Sequence, residues 1–444
     1  MCLGFGSNPR PLKGDATLGC SMQEDGQLHL VFIHQMFNGP KDIGSTRHYE
    51  MFRILVGEGF KVTVITSNIN YRTGRLRPSC RHRILSSQNL DGVNVLYAYA
   101  FPFSNRGLTF RLFSFLTFCF SSVIAFFKVT GAVHVVMASS PPLSQAVVGW
   151  FFSRIKKAVF VPEIRDLWPA FLIDMGVLKN KALIYCFRMA ERFIYRGSDF
   201  IIVNSPGFRP HIEESGDVDC QRIELIPNGV DLRLFEEIRG KGRISGRRRL
   251  GVEGKFVVTY AGAIGRANNL GIVLEAAEKL RELEDLTILL VGDGPEREGL
   301  GKQIRVRRLS NVKLLPALPK DLVPELLASS DVGLALLMDI PMFKTVYPNK
   351  IFDYMAAARP VLFGIDGVIR VVVEDAGAGI FVRPGDSADL VRGILTLYHD
   401  REEAVRMGER GRSYVEEHFS RQAIAEDLAL ALNRMCQATR DSVG

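Results

Sequence analysis

Short apolar runs alternate with amphipathic helical stretches along most of the chain. The run LHLVFIHQMF, which starts at residue 28, is typical of a strand buried in a parallel sheet. DIGSTRHYEMFRILVGEGF follows and predicts a glycine loop and an amphipathic helix that ends at Gly59, and KVTVITSN predicts the next strand. This strand–helix–strand unit is of Rossmann type, with Gly44 and Ser45 at the mouth of its helix.

The same alternation continues and then starts again. Further strands are predicted for VHVVMASSPPL, AVFVPEIRD and DFIIVNSP, and FVVTYAGAIGRANNLGIVLEAAEKLREL then repeats the strand, glycine loop and helix. LTILLVGDGPEREGL repeats them once more, and VKLLPAL, VGLALL, PVLFGI and GIFVRP predict the remaining strands. Strands that alternate with helices predict an α/β fold with doubly wound parallel sheets. Because the pattern restarts, we expect two facing Rossmann-like domains with a cleft between them.

The length of 444 residues also suits two domains rather than one. The predicted limits are a flexible leader at 1–27, an N-terminal domain at 28–210, a C-terminal domain at 211–420 and a final helix and tail at 421–444. The leader is rich in Gly and Ser and has no continuous apolar core, so it does not resemble a signal peptide. The segment from about 205 to 255 is interpreted as the linker between the halves.

One apolar segment interrupts the pattern. Between Arg111 and Lys128 the chain reads LFSFLTFCFSSVIAFF, without a charged residue. As a helix it would span ~24 Å, less than the ~30 Å hydrocarbon core of a bilayer, so a transmembrane helix is disfavoured. A buried helix on the sheet and a helix lying in the membrane interface both remain open. Because its phenylalanines fall on all sides of the helix, we favour peripheral membrane contact by residues 108–128.

The distribution of charge adds to this picture. Up to residue 215 the chain has 24 Lys and Arg against 14 Asp and Glu, whereas the whole chain has a net charge of +8. A basic half suits a phosphate-rich partner, such as nucleic acid, an anionic membrane or a phosphorylated acceptor. Nucleic acid is the weakest of these, because no recognisable binding module interleaves aromatic and basic residues. The seven cysteines form no CxxC pair, which disfavours disulfides and zinc and fits a reducing compartment.

Candidate chemistry lies in the loops that follow the strands, since ligands of open α/β sheets bind beyond the carboxyl ends of the strands. YAGAIGRANN places Gly262 and Gly265 at a turn into a helix, beside Arg266. Backbone N–H groups and a guanidinium at such a turn suit a diphosphate. VGDGPER is similar, and Gly292 and Asp293 there permit close approach of a ligand to the backbone.

YPNKIFDYMAAARPV adds a cation and a carboxylate at the start of a helix. Lys350 can reach a phosphate, and Asp353 can accept hydrogen bonds from ribose hydroxyls. Each glycine turn alone is often only a tight turn. Three such loops on one face of one domain together predict a site for a nucleotide-diphosphate sugar.

The order of the motifs GEGFKVTVITSN, SSPPLS, EIRDLWP, GVLKNK, AERFIYRGSDFIIVNSPG, IPNGVD, AGAIGRANNL, VGDGPE and YPNKIFDYMAAARPV resembles that of family 4 retaining glycosyltransferases with the GT-B fold. The resemblance covers about residues 28–430. It is strongest to the bacterial branch with the N-acetylfucosamine transferases of capsule and O-antigen assembly. SSPPLS and RDLWP are fairly specific to that branch, whereas IPNGVD and VGDGPE mark the broader family.

The resemblance implies roles for single residues. Gly44 would lie in the loop against the donor diphosphate and the acceptor, and Arg165 and Asp166 would lie near the reacting carbon of the sugar. Arg266 and Lys350 would bind the diphosphate. These implied roles make Arg165, Asp166, Arg266 and Lys350 the catalytic candidates.

The nucleoside of the donor has implied contacts of its own. Asp353 would bind the ribose, and the base would lie against the backbone near Leu315. The family usually has two glutamates eight residues apart here; Asp353 replaces the second and Thr345 the first. The usual lysine after the Gly-Arg loop is also absent, and alanine follows RDLWP where an acidic residue is common.

The resemblance implies transfer, with retention, of an N-acetylated or 6-deoxy amino sugar from a nucleotide-diphosphate donor, with UDP favoured. The implied acceptor is a polyprenyl-diphosphate-linked glycan of surface polysaccharide assembly at the cytoplasmic face of the cell membrane. No cofactor and no metal would be needed. Two alternatives stay open: an inactive paralogue that serves as a membrane-associated scaffold, which the missing carboxylate suggests, and a nucleotide-sugar epimerase.

Overall fold

The computed structural model describes residues 27–40, 42, 44–70, 74–77, 80, 84–102, 108–238 and 242–441. All but the last residue of the predicted leader lie outside these ranges. Within them the chain forms two large parallel sheets, each covered by helices. The predicted α/β class with two parallel-sheet units is confirmed.

The elements are numbered in chain order. The strands of the first part of the chain are β1 (His29–Ile33), β2 (Lys61–Ser67), β3 (Ile69–Asn70), β4 (Arg75–Leu76), β5 (Leu85–Leu90), β6 (Val93–Ala98), β7 (Val135–Ser140), β8 (Val159–Ile164), β9 (Ile201–Val203) and β10 (Ile223–Leu225). Those of the second part are β11 (Phe256–Ala263), β12 (Leu286–Asp293), β13 (Val312–Leu315), β14 (Val332–Leu336), β15 (Val361–Gly364) and β16 (Gly379–Phe381).

The helices follow the same numbering. Up to the middle of the chain they are α1 (Arg47–Gly57), α2 (Leu108–Phe126), α3 (Leu143–Lys156), α4 (Ala170–Asp174), α5 (Lys181–Gly197), α6 (Arg209–Gly216), α7 (Arg233–Glu236) and α8 (Gly242–Leu250). Beyond it they are α9 (Gly271–Lys279), α10 (Arg297–Val306), α11 (Val323–Ala328), α12 (Asn349–Ala356), α13 (Val368–Asp375), α14 (Ser387–His399), α15 (Arg401–His418) and α16 (Arg421–Asp441).

The first sheet has eight strands in the order β10-β9-β8-β7-β1-β2-β6-β5. Strand β1 is buried along its whole length because helices cover both faces of the sheet. Val31 and Ile33 face a core shared with α2 and α3, whereas Leu30 and Phe32 face a core shared with α1 and α16. The order reverses between β1 and β7, so a crevice for ligands is expected at the carboxyl ends of these two strands.

A hairpin at the edge of this sheet was not predicted. Strands β5 and β6 pair antiparallel, and Asp91 and Gly92 connect them with φ values of 50° and 89°. Two consecutive residues with positive φ form the turn that matches the twist of a two-strand ribbon, and Asp-Gly is a preferred pair there. The sequence DG was the available signal for this departure from a purely parallel sheet.

The second sheet has six parallel strands in the order β13-β12-β11-β14-β15-β16. This is the strand order of the dinucleotide-binding fold, and its reversal lies between β11 and β14. The strands were all predicted from their apolar runs. Their carboxyl ends carry the glycine loops of the candidate site.

The connection between the sheets differs from the predicted linker. Residues 205–255 contain α6 and β10, and β10 pairs with β9 as the outermost strand of the first sheet. The first sheet therefore extends beyond residue 210, where the sequence placed the domain limit. Strand β10 is only three residues long, which is too short for a clear period in the sequence.

The last helix returns to the first sheet. After α15 the chain crosses back, and α16 packs Leu428, Leu432 and Met435 into the core beside α1. Arg421 at the start of α16 is buried, and its guanidinium donates to the Glu50 carboxylate at 3.0 Å and to the Gly229 carbonyl at 2.5 Å. This arginine joins α16, α1 and the connection between the sheets.

A second buried cluster surrounds Glu163 at the end of β8. Its carboxylate accepts from the Arg47 guanidinium and from His48 Nε2, the latter at 2.7 Å. Burial alone would raise the pKa of Glu163, but His48 and Arg47 hold it well below its usual range. Arg47 also donates to the Ile226 carbonyl at 2.9 Å. The start of α1, strand β8 and the connecting chain are thus fixed together.

Helix α2 is buried on one side and exposed on the other. Phe118, Ala125 and Phe126 are fully buried in the core of the first sheet. Phe120 on the opposite side is 76% exposed. No helix among the described residues has the length and apolar character needed to cross a membrane.

The Arg421 cluster yields a stability prediction. Arg421→Ala leaves the buried Glu50 carboxylate without its guanidinium, and we expect a loss of about 3–5 kcal/mol in the free energy of unfolding. Urea denaturation followed by circular dichroism measures this loss. The matched control is Arg434→Ala on the same helix, whose exposed side chain pairs with Glu224 at 2.8 Å. It should cost less than about 1 kcal/mol, and equal losses in the two variants would contradict the proposed importance of the buried pair.

Candidate active site

The carboxyl ends of β11 and β12 lie side by side in the second sheet. Gly262 pairs with Gly292, and Ala263 pairs with Asp293. A Cβ atom on Gly292 would lie 1.8 Å from the Gly262 carbonyl oxygen, and one on Gly294 would lie 2.2 Å from that of Ile264. These two glycines are therefore required for the loops to pack against each other, whatever else they bind.

Gly265 has a different environment. An ideal Cβ at this position would have no protein atom within 4 Å, so the space beside it is open. Gly265 precedes a single 3₁₀ turn, Arg266–Asn268. The Arg266 side chain is exposed and makes no hydrogen bond or ion pair with the described residues. Open space next to an uncommitted guanidinium can receive an anion.

Lys350 supplies a second cation at the same loop. It lies in the first turn of α12, and its ammonium donates to Tyr260 Oη and to Asn268 Oδ1, both at 3.0 Å. A Cβ on Gly262 would lie 3.3 Å from Lys350 Nζ, so the ammonium is directly beside the glycine turn. Both partners are neutral. Desolvation without a carboxylate lowers the pKa of Lys350 to about 7.

Asp353 lies one turn further along α12. Both of its carboxylate oxygens accept from Lys320 Nζ, at 2.7 and 2.9 Å. Lys320 opens the 3₁₀ helix that follows β13, the strand that ends at Leu315. The ion pair thus joins the loop expected at the base to the residue expected at the ribose, and it holds the carboxylate in one orientation.

Thr345 stands where the family pattern has its first carboxylate. Its carbonyl oxygen accepts from Ser205 Oγ at 2.5 Å, and its own hydroxyl donates to the Met342 carbonyl at 2.7 Å. A Cβ on Gly207 would lie 2.6 Å from Thr345 Cα. The segment around Thr345 is therefore in close contact with the loop that follows β9 of the first sheet.

Arg165 and Asp166 follow β8 on the first sheet. The Arg165 guanidinium donates to His34 Nε2 at 3.1 Å, which places the proton of the neutral ring on Nδ1. Burial and the neighbouring Arg165 hold the pKa of His34 well below its usual range, so the ring is neutral at pH 7. Burial raises the pKa of Asp166 to about 6. Its carboxylate forms no hydrogen bond or ion pair with the residues that the structure describes.

Gly44 and Ser45 precede α1 at the same edge of the first sheet. Gly44 has a φ of 129°, and a Cβ there would lie 2.8 Å from Asn38 Nδ2. Asn38 Nδ2 also donates to the Ser45 carbonyl at 3.3 Å. The glycine is thus required for the shape of the loop.

The predicted residues form two groups. Lys350 contacts the loop of Gly262, and the aligned ends of β11 and β12 bring Gly292 and Asp293 to the same edge. Arg165 and Asp166 lie on the other sheet. No hydrogen bond or ion pair between described residues links the two groups directly.

Two family profiles match the sequence. The profile described as Glycosyl transferase 4-like domain matches residues 44–229, and that of Glycosyl transferases group 1 matches residues 245–414. Together they cover most of the chain. The chain belongs to the GT-B glycosyltransferases of the family 4 type.

The chain has several curated relatives at low identity. It is 24% identical to the D-inositol 3-phosphate glycosyltransferase of Corynebacterium kroppenstedtii over 269 residues, which are 55% of this chain and 58% of the relative. The chain thus spans little more than half the length of the curated relatives that it matches first.

Solved structures resemble the chain over almost its whole length. The sucrose-phosphate synthase of Thermosynechococcus elongatus has a TM-score of 0.74 at 17% identity, with 93% of this chain and 100% of that chain covered. Alr3699/HepE of Anabaena in complex with UDP-glucose has a TM-score of 0.68 at 19% identity, with 92% and 100% covered. The predicted GT-B fold is confirmed, whereas the N-acetylfucosamine transferase branch stays a prediction.

Four residues of the candidate site were not predicted from the sequence. Tyr260 and Asn268 hold Lys350, Lys320 holds Asp353, and His34 holds Arg165. Asn268 lies within the segment ANN that replaces the expected lysine, and the Lys350 ammonium contacts that segment. A polar residue directly after a strand was the available signal for His34. Lys320 and Asp353 are 33 positions apart, and no pattern in the sequence indicates that contact.

Metal-independence remains a prediction. Among the residues that the structure describes, no three or more His, Cys, Asp and Glu side chains gather into a possible metal site. The two cations beside Gly262 and Gly265 could neutralise a diphosphate without a metal ion.

Lys350 gives this site a testable proton linkage. Its ammonium has a pKa of about 7 without a ligand, and a bound diphosphate would raise that value. UDP binding at pH 8 should therefore take up close to one proton, and the affinity should fall as the pH rises above 7. Titration calorimetry in buffers of different ionisation enthalpy measures the uptake.

The control is Lys350→Met, which keeps most of the length of the side chain and removes the ammonium. It should bind UDP more weakly and take up no proton. Identical proton uptake in the variant and the native protein would show that another group is responsible and that Lys350 does not contact the diphosphate.

Proposed function

We propose that this protein is a retaining glycosyltransferase that uses a nucleotide-diphosphate sugar, with UDP as the favoured nucleotide. The observation that carries the proposal is the desolvated Lys350, whose partners among the described residues are neutral and which lies beside the glycine loop with Arg266. Two basic side chains without carboxylate partners can receive an anion, and a diphosphate fits both. The similarity to a structure solved with UDP-glucose supports UDP.

The proposed chemistry is electrostatic. Arg266 and Lys350 would stabilise the charge that develops on the leaving diphosphate, and its oxygen would help to remove the proton of the attacking hydroxyl. The amides beside Gly265 would add to this stabilisation. No protein nucleophile is required for retention in this scheme. Closure of the two sheets over the cleft would exclude water, since hydrolysis is the competing reaction.

The remaining donor contacts are proposed on the resemblance and on the orientation of Asp353 on α12. Asp353, oriented by Lys320, would accept hydrogen bonds from the ribose hydroxyls. The base would lie against the backbone near Leu315. Gly44 and Ser45 would approach the diphosphate and the acceptor from the first sheet, and Gly292 and Asp293 would border the donor site. The donor sugar is proposed to be an N-acetylated or 6-deoxy amino sugar, on the resemblance alone.

The proposed acceptor is a polyprenyl-diphosphate-linked glycan of O-antigen, capsule or exopolysaccharide assembly. Its support is the net positive charge of the first half of the chain and the apolar side of α2. A lipid-linked acceptor would also place the protein at the cytoplasmic face of the cell membrane, as a peripheral protein in contact through residues 108–128. A phosphorylated polyol acceptor, suggested by the inositol phosphate relatives, is the alternative substrate class.

A scaffold without activity is the second candidate. Thr345 supports it, because this residue contributes a backbone contact to the first sheet instead of a carboxylate to the donor. A scaffold and an enzyme differ in turnover. An enzyme releases free nucleotide diphosphate when donor and acceptor are both present, whereas a scaffold does not.

Nucleotide binding is the first test of the proposal. At ~100 times its dissociation constant, the favoured diphosphate should stabilise the protein by ~2.7 kcal/mol, which is a visible rise in melting temperature. UDP, GDP, ADP and dTDP are compared by differential scanning fluorimetry, and we expect the largest rise with UDP. Lys350→Met and Asp353→Asn should reduce it.

The matched control is Lys302→Met, because this lysine is exposed on α10 and its one ion pair among the described residues is with Glu298. It should respond to UDP like the native protein. If no nucleotide raises the melting temperature, the donor site is refuted. If UDP binds and no UDP-sugar releases UDP in the presence of polyprenyl-linked or inositol phosphate acceptors, the scaffold is favoured.

Asp166 predicts a pH dependence of turnover. Its carboxyl group has a pKa of about 6 and is ionised above that pH. An ionised carboxylate near the reacting carbon would stabilise the positive charge of the transition state. We therefore expect kcat/KM to fall about tenfold per pH unit below pH 6. Asp166→Asn should be slow and should lack this acidic limb; an unchanged limb in the variant would assign the titration to another group.

A further inference from the structure

Three helices on one side of the first sheet expose apolar side chains at helical spacing. We call this surface, made by α2, α3 and α5, the three-helix face. Two positions four residues apart represent each helix, and residues at this spacing lie on the same side of a helix. They are Phe120 and Ile124 of α2, Phe151 and Ile155 of α3, and Met189 and Phe193 of α5, which are between 42% and 76% exposed.

Ring contacts show that the three helices are direct neighbours. Phe126 of α2 stacks on Phe152 of α3, with centroids 3.8 Å apart. Trp150 of α3 meets the exposed Phe193 of α5 edge to face at 4.8 Å. The exposed apolar stripes therefore lie on adjacent helices. Large apolar surfaces exposed on a protein mark interaction sites.

Most of the charged residues on the three helices are basic, and Asp199 and Asp217 pair with Arg154 of α3 and Arg196 of α5. Lys128, Lys157, Lys179, Lys181 and Arg188 lie on or beside the three helices, are exposed and form no ion pair with any residue that the structure describes. The sequences of α2 and α3 contain no acidic residue. The single carboxylate of α5 is buried and accepts from a tyrosine and a histidine. The face thus combines apolar side chains with unpaired cations.

We infer that the three-helix face binds the surface of a lipid bilayer that contains anionic lipids. The apolar side chains would enter the boundary of the acyl chains, and the lysines would meet the phosphates of the head groups. A second copy of the chain fits less well, because a symmetric contact would bring the same cations against each other.

This inference rests on the membrane contact in the proposed function and extends it. The proposed contact of residues 108–128 becomes part of a larger surface to which α3 and α5 also contribute. A lipid-linked acceptor would then reach the protein from the side of α2, α3 and α5.

The test is flotation of the full chain with vesicles of phosphatidylcholine, with and without phosphatidylglycerol. The native protein should float with the anionic vesicles and lose binding as salt is added. One glutamate is placed on each helix in separate variants: Phe120→Glu, Phe151→Glu and Met189→Glu. Each should lower the partition coefficient about tenfold or more, because a charge enters the apolar boundary.

The matched control is Leu430→Glu, on the opposite side of the first sheet. Leu430 is 54% exposed on α16, and its replacement should leave vesicle binding unchanged. If only Phe120→Glu lowers binding, α2 acts alone and the three-helix face is refuted. Sedimentation velocity without lipid tests whether a second copy of the chain binds this face. If the native protein is a dimer that the same three variants dissociate, and it does not bind vesicles, the three-helix face is also refuted as a membrane-binding surface.

The UDP-induced rise in melting temperature is measured on the same preparations. It shows that each variant is folded and separates this inference from the proposed function. A native protein that responds to UDP and does not float refutes the three-helix face and leaves the donor site intact. If the protein floats and no nucleotide raises its melting temperature, the three-helix face is supported and the donor site is refuted.

Discussion

The buried carboxylate of Glu163 is the contact on which the arrangement of the first sheet and the connecting chain depends. A carboxylate in the interior must have charged or hydrogen-bonded partners, and here both come from the first turn of α1. Because Arg47 also donates to the Ile226 carbonyl, the same charge fixes the start of α1 and the exit from the first sheet. The loop of Gly44, which precedes α1, and Arg165, which follows Glu163 by two residues, are consequently held at one edge.

The second sheet has the opposite electrostatic condition. Arg266 has no partner among the described side chains, and Lys350 has only neutral ones, so positive charge is left over at the glycine loop. A structural cation would be paired like Lys320, whose ammonium bridges both oxygens of Asp353. Lys320, which is paired, therefore shapes the site, whereas Arg266 and Lys350 remain available to an anion. Thr345 in place of a carboxylate is therefore compatible with the proposed donor site, since the proposed diphosphate contacts do not involve that position.

The sequence was sufficient for the architecture and for part of the site. The long apolar runs of β1, β2, β11 and β12 and the glycine turns after them are local signals, and the structure has each of these strands in its predicted sheet. Strand β10 was missed because three residues carry no period. The bond between Arg165 and His34 and the pair of Lys320 with Asp353 were missed for another reason: such contacts depend on strand order, which brings together residues far apart in the chain. The apolar stripes of α3 and α5 were also missed, because in sequence each resembles an ordinary amphipathic helix.

The return of α16 to the first sheet means that the chain crosses between the two sheets twice. The outgoing and returning segments touch each other, since Val230 forms a bridge with Ser420 and Arg421 binds the Gly229 carbonyl. Two adjacent connections restrict the relative motion of the sheets more than a single connection would. They favour rotation about an axis through the bridge between Val230 and Ser420. They also make the two units interdependent in expression. A fragment that stops after the first sheet would leave the apolar surface under Leu428 and Leu432 in contact with water, so the N-terminal unit would need the last helix supplied in trans to remain monomeric.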